Sequence, residues 1–244
     1  MRQIVSKSRV LDAILAATVV IPLSVTGIFS FADSAKAASL IGDFQLTSGL
    51  TASPSVETSL VELSATSLTF SPQPVTPISL SARTGSFTSF NTANIGNIIS
   101  FSPTSADDPF LDFGVTVLPG IVLSSADTVS ITDDINTFTL ESASYALKQS
   151  GQNVGIDVTL DGFFTSDDGT KSQGAGNLTF QINNTQVASI ESILSSGGSV
   201  NNLAFSGALF TTSIPEPATL LGLGVVGGVM AMSRRRKTQD STMC

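Results

Sequence analysis

Carboxylates are the most numerous side chains in this sequence that could supply both a catalytic acid and a base, because histidine is absent and the single cysteine is Cys244. Ser-His-Asp and Cys-His nucleophiles and histidine metal centres are therefore unavailable, which removes most hydrolases. Two carboxylate pairs remain, Asp157 with Asp161 and Asp107 with Asp108. Two carboxyl groups facing across a cleft suffice to hydrolyse a glycosidic bond, one as acid and the other as base or nucleophile. Both pairs, however, fall where a strand alternates outward or a turn needs an oxygen. The expectation is solvated acids, no catalytic centre and no resident cofactor.

Asp133, Asp134, Asp161, Asp167 and Asp168 offer hard oxygens of the kind calcium takes, but no D-x-D-x-D-G loop organises them, so turn capping outweighs ion binding. Sugar recognition usually stacks Trp and Tyr faces on the ring, and here there is no Trp and one Tyr, Tyr145. A break in alternation near Ser142 places Tyr145 at a bulge or sheet edge, and the fifteen phenylalanines read mainly as core. Gly222, Gly224 and Gly227 spell G-x-G-x-x-G, yet Pro215 and Pro217 precede it where a dinucleotide fold needs a strand.

The elements that must hold these groups are strands. The middle of the chain is rich in Ser, Thr, Val, Ile, Phe and Gly. Val154, Ile156, Val158 and Leu160 alternate with Gly155, Asp157, Thr159 and Asp161, while Leu178, Phe180 and Ile182 alternate with Thr179 and Gln181, the period of a half-buried antiparallel strand. Further strands are expected over 60–70, 86–90, 95–101, 110–118, 128–131, 137–147 and 202–210, separated by turn chemistry such as Ser166-Asp167-Asp168-Gly169. Pro72, Pro74 and Pro77 make residues 71–79 an edge or crossing loop, and Val187 to Leu194 has helical spacing. Two apolar sheet faces must bury each other, so the expected fold is all-β, an antiparallel two-sheet sandwich, jelly-roll-like in one version.

Both ends carry membrane signals. Arg2, Lys7 and Arg9 precede an apolar run from Leu11 to Phe31, and Ala35-Lys36-Ala37 supplies small residues for a signal peptidase, predicting a signal helix over 1–37 cut after Ala37. At the other end stand Pro215-Glu216-Pro217, an apolar stretch of fifteen residues from 218 to 232, and the cations Arg234, Arg235, Arg236 and Lys237. As a helix that stretch spans about 22 Å against a hydrocarbon core of roughly 30 Å, a short membrane helix that snorkelling cations can lengthen and orient. Residues 238–244 then form a cytoplasmic tail. The 38–213 domain between the signals has three cations, Arg83, Lys148 and Lys171, against fifteen carboxylates, a balance of −12. Nucleic acid is excluded as a partner because binding it depends on displacing counterions with Lys and Arg. With no cysteine in this region, core packing must stabilise it.

The order of proline triplet, Gly-rich apolar segment and basic cluster over 214–237 resembles the PEP-CTERM sorting signal of bacterial envelope proteins. The resemblance is confined to this tail. It implies recognition by an exosortase, a membrane-embedded cysteine transpeptidase-like enzyme, with Pro215, Glu216 and Pro217 as the sorting motif and Arg234 to Lys237 as the stop cluster. Pro215 and Pro217 hold the segment extended, as a protease substrate must be. The tail departs from the family's pattern in running on from Thr238 to Cys244. The resulting expectation is a non-enzymatic protein of the envelope or extracellular matrix, exported to the cell surface, with exosortase and signal peptidase as processing enzymes and exopolysaccharide as a surrounding polymer. The alternative is a surface adhesin or glycan-binding module assisted by calcium, which an exposed Phe near the 161–171 loop would favour.

Overall fold

The structure, a computed structural model, describes residues 39–212, most of them in β-strands. In chain order these are β1 (Asp43–Ser48), β2 (Leu50–Thr51), β3 (Glu57–Thr58), β4 (Leu60–Ser64), β5 (Leu68–Ser71), β6 (Pro77–Ser81), β7 (Thr92–Ile95) and β8 (Ile98–Phe101). There follow β9 (Thr104–Ala106), β10 (Leu111–Gly114), β11 (Ile121–Val122), β12 (Thr137–Ser150), β13 (Asn153–Thr165), β14 (Lys171–Ile182), β15 (Ser199–Leu203) and β16 (Phe205–Thr211). Two helices, α1 (Ser125–Thr128) and α2 (Val187–Ser195), and 3₁₀ turns at Gly85–Ser89 and Val129–Ile131 complete the described chain.

The all-β expectation holds, but the two-sheet sandwich does not. Eight strands in the order β1-β16-β14-β13-β12-β10-β7-β6 close into a barrel, and β6 returns to β1 to complete the ring. Closure depends on β1 and β6, two strands that the sequence reading does not expect. β1 pairs on one side with β16 (Phe44 opposite Leu209) and on the other with β6 (Leu46 opposite Leu80). Residues 71–79 are therefore only partly a crossing loop. Pro77 begins β6, a strand position where a missing N–H is readily tolerated, and Ile78 and Ser79 pair with β7. Once closed, the sheet has no free edge.

Alternation follows the pleat. Val154, Ile156, Val158, Leu160 and Leu178 are fully buried, Phe180 nearly so and Ile182 half-buried, as period two predicts. Asp43, Gln45 and Thr47 of β1 point outward between the buried Phe44 and Leu46. Apolar inside and polar outside is the reverse of a lipid-facing barrel. The interior is filled with phenylalanine: the Phe164 ring lies 4.7 Å from Phe138, 5.0 Å from Phe87 and 6.0 Å from Phe113. Gly174 makes room for this cluster, since a Cβ there would stand 2.3 Å from the Phe164 ring.

Residues 86–90 are not a strand. They lie largely in the 3₁₀ turn Gly85–Ser89, which drops Phe87 into the barrel mouth, where it is completely buried. Likewise 128–131 closes α1 and forms a 3₁₀ turn, the 60–70 and 95–101 segments each divide into shorter strands, 202–210 straddles β15 and β16, and 110–118 keeps only β10. α2 matches its expected span and buries Ile190 and Leu194.

A trace of the sandwich survives at the other end. A five-stranded sheet, β15-β4-β5-β8-β9, joins the same core through Val61, Leu63, Leu68 and Phe70, with Phe70 5.1 Å from Phe205. It also meets β12: the Phe101 ring lies 5.0 Å from that of Tyr145, tilted at 55°, and Thr104 Oγ1 accepts the Ala143 N–H. The strands of the β12–β13–β14 meander are long enough to line the barrel and face this second sheet. A small third sheet, β11-β2-β3, lies outside the ring. No described helix is long and apolar enough to cross a membrane. The expected signal helix of 1–37 and the expected membrane helix of 218–232 lie outside the described residues.

Candidate functional site

The register fixes where the chain enters and leaves the barrel. β16 is an interior strand held by β1 and β14, and its last residue, Thr211, donates its N–H to Gly42 O at 2.9 Å. Gly42 N–H returns a bond to Thr211 Oγ1 at 3.0 Å, and Thr212 N–H donates to Gln173 O at 2.9 Å. Gly42 has φ +139°, and a Cβ there would sit 2.3 Å from Thr84 O, so this junction requires glycine. On the entry side, Ser86 Oγ donates to Ser39 O and Ser172 Oγ to Leu40 O. Residues 39 and 212 thus leave from one end of the barrel. The two processing points expected from the sequence are Ala35 and Ala37, before residue 39, and Pro215, Glu216 and Pro217, after residue 212. All five, with Arg234, Arg235, Arg236 and Lys237, lie outside the described residues. From Thr212 to Pro215 the chain reaches at most about 10 Å.

The carboxylate pairs are not brought across a cleft. Asp157 and Asp161 occupy one outward face of β13 four residues apart, about 13 Å at the strand rise, beyond the ~9.5 Å upper limit for paired glycosidase carboxylates. Asp157 is engaged by Lys148 at 2.6 Å, and Asp161 accepts a 3.4 Å bond from Ser142 Oγ beside the bulge between Leu140 and Ser142. Asp107 Oδ2 accepts from Asn97 N–H and Nδ2, and Asp108 Oδ1 from Thr139 Oγ1. These acids shape turns and strand edges. Asp133 does so through the Ile135 N–H and Asp168 through Ser166 and Thr170. Among the described residues no group of three or more His, Cys, Asp or Glu is arranged to hold a metal ion. Tyr145 sits three residues past the bulge, half-buried and paired with Val158. Phe163, near the end of β13 that enters the 166–170 loop, is half-buried with Lys171 Nζ 3.8 Å above its ring.

Two features escape the sequence. Asp112 lies on the outer face of β10 beneath the 132–136 turn, only 2% exposed. Its Oδ2 accepts the Asp134 N–H at 2.9 Å, which holds Asp134 in the left-handed region at φ +56°, while Oδ1 is buried without a partner. Burial pushes the Asp112 carboxyl up to about 6, against the Asp134 N–H, which lowers it, with Asp133 and Asp134 adding repulsion. The second is an open groove of about 610 Å³ lined by Thr51, Pro54, Glu57, Pro72, Pro74, Val122 and Thr128, with Thr51 Oγ1 buried in its wall without a hydrogen bond. Its walls come from three segments far apart in sequence, so no local spacing signals it.

Compared with known proteins, residues 213–237 match the PEP-CTERM protein-sorting motif. No curated protein matches the chain, and no solved structure does. The motif is the mark of exported proteins that are sorted at the membrane and processed by an exosortase, and it begins at the residue following the last one described.

Proposed function

We propose that this protein is a non-enzymatic component of the bacterial envelope or extracellular matrix, a filled β-barrel delivered to the surface by exosortase processing of its tail. The observation that carries the reading is the PEP-CTERM motif at 213–237, which follows the barrel's final strand almost without a spacer. The engagement of Asp157 by Lys148, of Asp107 by Asn97 and of Asp161 by Ser142 across the strand pair supports a chain without catalysis. The outward Ser and Thr residues, including Thr47, Thr179 and Ser206, are neutral hydrogen-bonding groups suited to a hydrated polysaccharide or to glycosylation. Fractionating the producing bacterium with and without its exosortase tests this. The protein is expected in the surface or released fraction only when the enzyme is present, and equal release without it would refute the reading.

A glycan-binding module is the second reading, and the groove at Thr51 favours it. Proline faces at Pro54, Pro72 and Pro74 and the Glu57 carboxylate combine flat apolar surface with a hydrogen-bonding group, as sugars require. The Phe163 ring favours it less, because Lys171 covers one face. Titrating oligosaccharides against the protein and a Glu57→Gln variant distinguishes the two: affinity lost in the variant supports binding in the groove.

A further inference from the structure

Antiparallel register sorts the loops to two ends of the barrel. The end where residues 39 and 212 emerge also carries the loops 82–91 and 166–170 and the two flanks of 115–136, because β6, β10 and β13 end there and β7, β12 and β14 begin there, while the middle of 115–136 leaves it to pair Ile121 and Val122 with Leu50 and Thr51. The opposite end carries the Gly151–Gln152 turn and α2. At the exit end five apolar side chains, Ile41, Val115, Val129, Ile135 and Phe210, are each between 46% and 67% exposed. Val115 and Val129 are neighbours, since Ser130 Oγ donates to Val115 O at 2.9 Å. Ile41 and Phe210 flank the bonded pair Gly42 and Thr211.

Only Ser213 to Pro217 separate Thr212 from the apolar run that begins at Ala218, a reach of at most about 20 Å. β12, β13 and β14, at 14, 13 and 12 residues, are each about 40 Å or longer, twice that tether. The α2 end therefore cannot be turned to the bilayer while the tail is in it. We infer that the exit end is a membrane-facing surface: before the tail is cut, Ile41, Val115, Val129, Ile135 and Phe210 rest on the lipid headgroup layer. The same end holds the exposed Asp43, Asp133, Asp134 and Asp167, which oppose an anionic surface, so the lipid that fits is zwitterionic or neutral. This rests on the sorting tail being membrane-inserted, as the function proposed above requires.

The test uses the full chain with Cys244→Ser and single cysteines introduced as Ile41→Cys, Val129→Cys, Gln152→Cys or Ser195→Cys, all exposed positions, each labelled with an environment-sensitive dye. The proteins are reconstituted in phosphatidylcholine vesicles containing headgroup spin-labelled lipid, then floated. Quenching at 41 and 129 is expected to exceed that at 152 and 195 by about threefold or more. A chain that floats with equal quenching at both ends overturns the membrane-facing surface and leaves the sorting tail intact, whereas a chain that does not float overturns both. Shielding of 41 and 129 that appears only when exosortase is added also overturns the lipid assignment and gives the face to the enzyme.

Discussion

The N–H of Thr211 meets the carbonyl of Gly42 at 2.9 Å, tying the end of the last barrel strand to the start of the first. The sorting motif is thus not displayed on a long leash: its triplet begins three residues beyond Thr212, and an enzyme cutting there works within about 10 Å of a folded domain. The short spacer places unusual weight on the conformation of those few residues.

Replacing Pro215 and Pro217 by Ala is expected to stall processing, because helix formation can then run back from the apolar segment and hide the extended bond. Immunoblots of membrane and released fractions check this. Unchanged release from the double variant would show the prolines to be incidental.

Asp112 predicts a pH dependence of stability. Its folded pKa of about 6 lies above the ordinary 3.8, so between those values the folded state binds more protons than the unfolded state, and stability falls as pH rises. The ionised form at neutral pH costs on the order of 3 kcal/mol. Asp112→Asn keeps an acceptor for the Asp134 N–H and removes the charge. It should unfold at a higher temperature than the parent at pH 7.5, and the gap should close as pH falls through 6 toward 4. A gap that widens on acidification would contradict the assignment.

Phe87 is completely buried against Phe44, Phe113 and Phe164, although its own segment is a turn. Phe87→Ala should lower stability by about 3–5 kcal/mol, against less than about 1 kcal/mol for Phe210→Ala on the outer face. Denaturant unfolding of the two variants compares them directly.

What could be read from the sequence was what repeats locally. Ile156, Val158 and Leu160 declare their face by period two, α2 declares itself by the spacing of Val187, Ile190 and Leu194, and the sorting tail is legible because its parts are contiguous. Closure of the barrel was not legible, since it depends on β1 meeting β6 across the intervening chain of residues 49–76, with Pro72, Pro74 and Pro77 obscuring the second partner. The alternation of Phe44 and Leu46 with Asp43, Gln45 and Thr47 was the available clue to β1. Asp112 gave no clue: an acid at an outward strand position reads as solvated, and only the distant 132–136 turn buries it.

Absence of catalysis is exposed to a simple assay. The mature protein should turn over none of a panel of bacterial polysaccharides, and an Asp157→Asn, Asp161→Asn double variant should be indistinguishable from the parent. Hydrolysis that disappears in the double variant would overturn the non-enzyme reading, despite the separation of about 13 Å between the two positions along β13.

The most direct test of the account is the intact mass of the protein recovered from the cell surface or medium, with its N-terminal sequence. The mass should match a chain that starts at Ala38 and ends near Glu216, without the apolar segment or the Arg234 to Lys237 cluster. A cytoplasmic chain that keeps both Met1 and Cys244 would contradict export and sorting together.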